Sequence, residues 1–243
     1  MAAPIGLQPT ADLAERVLLP GDPARALLLA ESLLDGAKMF NHHRGLWGYT
    51  GLAPDGESLT IQSTGMGGPS AALVVSELID LGARRLIRVG TCGALAGGLQ
   101  LGDLLIATEA ISADGTSRAL GAGDRTPATP GLLAAVTGAA GEAERDMASS
   151  AHAGLAPLAL QPAAVVEQVG ADHGAGALAV EMEAATVFAL AAVRGVEAAA
   201  LLVVSDLVLP TRVRISQDDL RTAERRMGRA ALRALSLSGE RQS

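Results

Sequence analysis

Short runs of apolar residues alternate along the chain with segments whose apolar residues recur at helical spacing. The runs are bounded by Gly or Pro and predict buried strands. The predicted strands are Arg16–Leu19, Leu59–Gln62, Leu86–Val89, Leu104–Ala107 and Ala199–Val204. This alternation predicts an α/β fold with a mixed or parallel central sheet flanked by helices. Because no convincing boundary divides the chain, we expect a single domain over residues 1–243.

Local signals place four helices around these strands. Asp22 followed by Pro23 is typical of a helix start, because the aspartate can cap free N–H groups and proline fits the first turn. Gly82 and Gly195 are typical of helix ends. The predicted helices run from Ala24 to Leu34, from Pro69 to Gly82, from about Met182 to Arg194, and from Ser216 onward.

Composition and charge exclude several classes of protein. The chain has 243 residues, of which 49% are hydrophobic, and a formal net charge of −7. The hydrophobic content excludes an intrinsically disordered chain. The acidic balance argues against a nucleic-acid-binding protein, which needs basic residues to neutralise phosphates. We therefore expect no nucleic-acid partner.

Cysteine usage and apolar run length bear on location. Cys92 is the only cysteine, so a disulfide within the chain is impossible and a CxxC metal site is absent. The longest strongly apolar run, Ala198–Val204, is too short to span a bilayer. The N-terminus lacks the basic and apolar regions of a secretory signal. We expect a cytoplasmic protein without a bound metal or a membrane partner.

Two segments have features suited to an anion. At Gly21 a strand ends and a helix begins, and a helix start offers free N–H groups and partial positive charge. Arg25 in the first turn opposes the helix dipole, which makes more sense if its side chain faces a bound anion. Arg88 lies within an apolar strand, where a buried arginine needs a carboxylate or an anion as partner. Thr91, at the end of that strand, could donate to the same anion.

Three further segments carry polar groups at strand or helix ends. The glycine-rich stretch Ser63–Ser70 is neither a Walker A loop nor a complete dinucleotide motif. Glu181 and Glu183 flank a helix start, and we expect one to point into a site and the other outward, because residues two apart do not share a helix face. Asp206 follows a buried strand, where partial burial can raise a carboxyl pKa and suit it for general acid catalysis.

These segments, in this order and spacing, resemble one known family over nearly the whole chain. The matching motifs are Pro20-Gly21-Asp22-Pro23, Gly65-Met66-Gly67-Gly68-Pro69-Ser70, Arg88-Val89-Gly90-Thr91-Cys92-Gly93, Val180-Glu181-Met182-Glu183-Ala184-Ala185 and Ser205-Asp206. They resemble the nucleoside phosphorylases, the family that contains the hexameric bacterial purine nucleoside phosphorylases and the uridine phosphorylases.

The resemblance implies a role for each site residue. The residues expected at inorganic phosphate are Gly21, Arg25, Arg88 and Thr91, joined by Arg44 from across a dimer interface. Those expected at ribose are Met66, Met182 and Glu183, with Glu181 lining the same pocket. At the base, Ser205 and Asp206 match a Ser-Asp pair whose aspartate protonates the purine N7, and Arg221 loosely matches an arginine that supports this aspartate.

The reaction implied is phosphorolysis of an N-glycosidic bond, with phosphate as co-substrate and no metal or other cofactor. Sharing Arg44 requires at least a dimer, and the family usually assembles three dimers into a hexamer. Ser205-Asp206 favours a purine nucleoside, whereas Ser63-Thr64-Gly65 and Asp114-Gly115-Thr116-Ser117 look more like uridine phosphorylase. Uridine phosphorylase therefore stays an alternative.

Two departures from the family pattern bear on the substrate. Ile5 occupies the place of a histidine that reaches the neighbour's ribose 5′-hydroxyl, which favours a 5′-deoxy or 5′-modified sugar. The segment 155–164 replaces a Phe-Tyr pair that usually stacks on the base. A hydrolytic nucleosidase for a 5′-modified nucleoside is a second alternative, and a non-catalytic nucleoside-binding protein is a third. The arginine set argues for phosphate rather than water.

Overall fold

A computed structural model describes residues 4–149, 161–168 and 177–239. In this part of the chain, eleven strands form one mixed sheet. The strands are β1 (Arg16–Leu19), β2 (Asp35–Asn41), β3 (Gly48–Leu52), β4 (Ser58–Gln62), β5 (Arg85–Ala94), β6 (Leu104–Ile111), β7 (Arg125–Pro127), β8 (Gln161–Gln168), β9 (Ala179–Glu181), β10 (Glu197–Leu207) and β11 (Val213–Arg214). The helices are α1 (Pro23–Leu33), α2 (Gly68–Leu81), α3 (Gly115–Ala119), α4 (Pro130–Ser149), α5 (Ala184–Arg194) and α6 (Gln217–Gly239), with a short 3-10 turn at His43–Gly45.

The middle of the sheet is parallel, and both of its flanks contain antiparallel pairs. The strands β4, β1, β5 and β10 run parallel as neighbours. On one side β3 and β2 continue the sheet in antiparallel fashion. On the other side β5, β10, β6, β8 and β9 close into a ring, because β5 pairs with both β10 and β9. The predicted α/β class with a mixed central sheet flanked by helices is confirmed.

Alternating side chains of the central strands supply two cores, one on each face of the sheet. On β10, Ala198, Ala200, Leu202 and Val204 belong to the core that also includes side chains of α2 and α5. The residues between them, Ala199, Leu201 and Val203, belong to the core that includes side chains of α1, α4 and α6. This two-residue period is the geometry of a strand buried on both faces. The result is a sheet enclosed between two helical layers.

All five predicted strands and all four predicted helices exist, with small differences at their ends. Asp22 caps α1, because its carboxylate accepts a hydrogen bond from the N–H of Ala24 at 2.8 Å. Gly195 ends α5 in the left-handed conformation. Ser216 caps α6 by accepting from the N–H of Asp219 at 3.2 Å. None of the helices in the described ranges is long and apolar enough to cross a membrane.

Candidate active site

A cavity of about 1100 Å³ opens at the carboxyl ends of the parallel strands. Ligands of open α/β sheets commonly bind at this edge, because several strand ends meet there. The cavity is lined by every site residue expected from the sequence except Arg44. These are Gly21, Arg25, Met66, Arg88, Thr91, Glu181, Met182, Glu183, Ser205, Asp206 and Arg221.

At one end of the cavity, two loops that follow parallel strands cross each other. The N–H of Gly65, in the loop after β4, donates to the carbonyl of Gly21, after β1, at 3.1 Å. Gly65 has a φ of +72°, and a Cβ there would lie only 2.5 Å from the Ser70 hydroxyl. Glycine is therefore required at this position by both conformation and space. The crossing exposes backbone beside the start of α1.

Arg88 lies beside this crossing and organises the buried charges of the cavity. Its Nε donates to Glu181 Oε2 at 2.8 Å, and its Nη2 donates to Glu183 Oε2. Its Nη1 is buried and has no hydrogen-bond partner among the described residues. A Cβ built on Gly21 would lie 3.7 Å from this Nη1. The free guanidinium N–H groups therefore lie at the Gly21 crossing.

The space for the Arg88 side chain is provided by its own strand. A Cβ on Gly90 would lie 2.8 Å from Arg88 Nη2 and 2.9 Å from its Cζ. Gly90 lies two residues after Arg88 in β5, on the same face of the sheet. Because Gly90 has no side chain, the Arg88 guanidinium can fold back over the strand. The position of Arg88 is set by the backbone as well as by the carboxylates.

Burial and mutual contact change the acidity of this cluster. Burial lowers the pKa of Arg88, but Glu181 and Glu183 outweigh burial, so the pKa is raised overall. Burial raises the pKa of Glu183, with Arg88 opposing the change and Glu181 adding to it. A proton on Glu183 would therefore cost less here than at the surface.

The expectation that one of the two glutamates points outward is wrong. Both side chains are buried, and both contact Arg88. Glu181 lies in β9, and Glu183 is the non-helical residue before α5. The helix-face argument does not apply, because neither residue is inside a helix. Glu183 also accepts a hydrogen bond from the N–H of Gly67, which links the glycine-rich loop to the cluster.

Arg25 also lines the cavity, but its Nε is bound by a carboxylate that the sequence did not reveal. This Nε donates to Glu224 Oε1 of α6 at 2.6 Å, and both side chains are buried. The pair is 199 residues apart in the chain. Glu224 lies among the apolar residues that pack α6 against the sheet, and that position was its only sequence signal.

Removing Glu224 is expected to destabilise the fold, because Arg25 would keep its charge without a buried partner. We expect Glu224→Ala to lower the free energy of unfolding by about 3–5 kcal/mol, the usual cost of breaking a buried pair. Urea denaturation measures the loss. The matched control is Arg25→Met/Glu224→Leu, which removes both charges and is expected to recover most of the stability. An unchanged free energy of unfolding in Glu224→Ala would contradict the buried pair.

Asp206, which also lines the cavity, is surrounded by hydrogen-bond donors. Ser205 Oγ donates to Oδ2 of Asp206 at 2.7 Å. Arg212 Nε donates to Oδ1 at 2.8 Å, and Arg214 Nε lies 3.2 Å from the same oxygen. Arg214 stands opposite Asp206 in the β10–β11 pair. All three contacts suit an ionised carboxylate.

These contacts correct the expectation of a raised pKa at this position. Burial does raise the pKa of Asp206, but Ser205, Arg212 and Arg214 outweigh burial and lower it. The arginines that contact Asp206 are Arg212 and Arg214, whereas the arginine expected from the sequence was Arg221. Arg221, on α6, lines the same cavity, and its support of Asp206 stays a prediction.

Arg44 lies outside the cavity on an exposed turn. Its φ of +57° is unusual for a residue with a side chain. Its Nε donates to the carbonyl of Ile5 at 3.2 Å. The N–H groups of Ile5, Gly6 and Leu7 in turn donate to the buried carboxylate of Glu77. Arg44 and the N-terminal segment therefore form one unit on the surface.

Two methionines also line the cavity. Met66 and Met182 are 82% and 44% exposed, so each leaves apolar surface facing the cavity. The segment 155–164, expected to replace an aromatic pair at the base, lies outside the residues whose side chains the structure describes.

Comparison with known proteins gives matches over most of the chain. The family model of the phosphorylase superfamily matches residues 15–236. A DeoD-type purine nucleoside phosphorylase of Geobacillus kaustophilus is 37% identical over 211 residues, covering 86% of this chain and 87% of its own. One from an Exiguobacterium species is 37% identical over 220 residues, with the same coverage of 86% and 87%.

A solved structure shares the fold. The crystal structure of uridine phosphorylase from Vibrio fischeri superposes with a TM-score of 0.74 over 92% of each chain, at 24% sequence identity. The match of the family model over most of the chain, together with relatives that are more than a third identical, identifies the family. This chain belongs to the phosphorylase superfamily.

Proposed function

We propose that this protein is a pentosyltransferase that cleaves the N-glycosidic bond of a purine nucleoside with inorganic phosphate. The products are the free base and ribose 1-phosphate. The observation that carries this proposal is the buried Nη1 of Arg88, which has no hydrogen-bond partner within the described residues and lies at the crossing of Gly21 and Gly65. A phosphate oxygen supplies the acceptor that a buried guanidinium nitrogen needs. The relatives named purine nucleoside phosphorylase support the same reaction.

In this proposal, phosphate binds between the start of α1 and the middle of β5. Gly21 offers close approach of the backbone, Thr91 offers a hydroxyl, and Arg25 and Arg88 offer charge. Cleaving the glycosidic bond builds positive charge on the ribose ring. A phosphate dianion held beside the ring stabilises that charge and then attacks C1′. The site needs no metal or other cofactor for this step.

The part of the cavity next to Arg88 suits ribose. Glu183 is held by Arg88 and Gly67, and we assign it to the 2′- and 3′-hydroxyls, which can donate to its carboxylate. Met66 and Met182 supply apolar surface to the ring faces. Glu181 keeps its contact with Arg88 and so positions the guanidinium.

Asp206 is assigned to the leaving base. Expelling a purine as an anion is costly, so a proton delivered to N7 lowers the barrier. Proton transfer of this kind contributes about 10²–10⁴-fold in rate. Ser205 orients the Asp206 carboxyl through its hydrogen bond.

Charge balance supports a shared site. Within one chain, Arg25 and Arg88 are already in contact with three carboxylates, those of Glu181, Glu183 and Glu224. A phosphate dianion would therefore face insufficient positive charge. We propose that Arg44 of a neighbouring copy supplies the additional positive charge. The protein would then be a cytoplasmic homo-oligomer of at least two chains. By resemblance to the family, three such dimers would form a hexamer.

Subunit mixing tests this sharing. Arg44→Ala and Arg88→Met are each expected to lose most activity. Mixed dimers would contain one site with both arginines and one with neither. Unfolding and refolding the two variants together should therefore restore activity well above that of either alone. Refolding each variant by itself is the control. Mixed material that forms dimers but stays inactive would contradict a shared site.

The reaction itself is tested by release of free base from inosine, adenosine, uridine and 5′-methylthioadenosine, each with and without phosphate. We expect phosphate-dependent release from a purine nucleoside. Release from uridine alone would overturn the purine assignment, and release without phosphate would indicate a nucleosidase. Ile5 is 64% exposed beside Arg44, and this apolar side chain favours 5′-methylthioadenosine over adenosine if it reaches the neighbouring sugar.

A further inference from the structure

We infer that the base end of the cavity selects 6-oxopurine nucleosides over 6-aminopurine nucleosides, and that Arg212 and Arg214 are the residues that read the difference. This inference rests on the proposed function. It begins from two side chains that no sequence motif marked. Both line the cavity, and both contact Asp206.

The two arginines have unused donors. Arg212 contacts Asp206 through Nε, and so does Arg214, at 2.8 Å and 3.2 Å. The terminal nitrogens of both guanidinium groups have no hydrogen-bond partner within the ranges that the structure describes. The side chains are 63% and 70% exposed. Their N–H groups are therefore available to a ligand next to Asp206.

An apolar surface beside Asp206 fixes where a base would lie. Val180 and Val208 line the cavity, and both lie against Gly93. A Cβ on Gly93 would be 2.7 Å from Val208 Cγ2 and 3.3 Å from Val180 Cγ1. A flat base resting on these valines would present one edge to Asp206 and the arginines.

The chemistry of that edge distinguishes the purines. If Asp206 serves N7, its neighbour on the same edge is the substituent at C6. In hypoxanthine and guanine this substituent is a carbonyl, so N7 and O6 are both acceptors. In adenine it is an amino group, which donates. With N7 taken by Asp206, the N–H groups of the arginines can donate to O6, whereas an amino group is itself a donor and offers them no acceptor.

Proton transfer from Asp206 to N7 is connected with recognition of O6 by Arg212 and Arg214. When Asp206 is protonated, its ion pairs with Arg212 and Arg214 weaken. The released guanidinium groups can then turn toward O6, while the carboxyl gives its proton to N7. Negative charge that develops on a departing 6-oxopurine reaches O6, where a cation stabilises it. Adenine offers no such oxygen.

The test compares kcat/KM for inosine, adenosine and purine riboside, which has no substituent at C6. For the unmodified enzyme we expect inosine to exceed adenosine by at least about tenfold, within the range of about 5- to 150-fold that side-chain hydrogen bonds provide in discriminating one base from another. In Arg212→Gln/Arg214→Gln the two values should approach each other. A change at Asp206 that affects both substrates equally leaves the ratio of the two kcat/KM values unchanged. Arg229→Gln, an exposed arginine of α6 outside the cavity, is the matched control.

Binding of the free bases decides the inference separately from turnover. Calorimetry with hypoxanthine and adenine should show tighter binding of hypoxanthine, lost in the double variant and kept in Arg229→Gln. Equal or better use of adenosine by the unmodified enzyme would overturn the inference, and so would a preference that survives the double substitution. If no nucleoside is cleaved, the proposed function fails, and the two bases still report on the arginines.

Discussion

Replacing Arg88 by methionine is expected to abolish most phosphorolysis. Removing one preorganised donor to a developing charge typically costs about 10²–10³-fold, and Arg88 supplies such a donor to the proposed phosphate through its buried Nη1. The loss should appear in kcat/KM for phosphate, measured at saturating inosine. Phosphate-dependent activity within tenfold of the unmodified enzyme would contradict the assignment of the anion site to Arg88.

The same substitution has a structural effect with a defined pH dependence. Without Arg88, the buried carboxylates of Glu181 and Glu183 lose their counter-charge, and the already raised pKa of Glu183 rises further. A carboxyl whose pKa is raised by folding stabilises the native state below its unfolded pKa and loses that contribution as pH increases. The variant should therefore be less destabilised at pH 5 than at pH 8, as urea denaturation can measure. Adding Glu181→Gln is expected to recover stability but not activity, which separates the two effects.

Replacing Asp206 by asparagine is expected to lower kcat/KM for inosine by about 10²–10⁴-fold, the usual contribution of a general acid. Asparagine keeps the size and one acceptor oxygen but cannot deliver the proton. A substrate that needs no proton gives the matched comparison. In 7-methylinosine, N7 carries a methyl group and a positive charge, so the base leaves without protonation. We expect kcat/KM for 7-methylinosine to fall by less than about tenfold in this variant. Equal losses on both substrates would contradict acid catalysis by Asp206.

The pH profile gives an independent check on Asp206. The protonated form of Asp206 is the one that donates to N7, and the pKa of Asp206 is lowered. We therefore expect kcat/KM for inosine to fall as pH rises. The kcat/KM for 7-methylinosine should not fall, because this substrate needs no proton. Replacing Arg212 and Arg214 removes two cations and raises the pKa of Asp206. In that variant, the decline with inosine is expected at higher pH. A profile that is the same for both substrates would argue against a proton from this carboxyl.

Much of the scaffold could be predicted because it depends on local sequence. The apolar runs bounded by glycine or proline identified the central strands, and Asp22 followed by Pro23 identified the start of α1. These features place Gly21 and Asp206 at strand ends and Arg88 within a strand that leads to the same edge of the sheet. Parallel strand ends meet at one edge of a sheet, so the sequence was sufficient to expect these residues together.

What escaped prediction depends on contacts between distant or irregular segments. Glu224 reaches Arg25 from the last helix, 199 residues away. Arg214 faces Asp206 from β11, which has only two residues and no recognisable periodicity, and Arg212 lies directly before that strand. Glu181 and Glu183 converge on Arg88 because one is in a strand and the other precedes a helix. In each case the missing information was tertiary geometry.

The most direct test of the central claim identifies the sugar product. Inosine and inorganic phosphate are incubated with the enzyme and followed by phosphorus NMR, with hypoxanthine measured in parallel. The proposed reaction predicts a ribose 1-phosphate signal that grows in equal amount with hypoxanthine while inorganic phosphate declines. Hypoxanthine appearing with free ribose and unchanged phosphate would show that water is the acceptor and would contradict phosphorolysis.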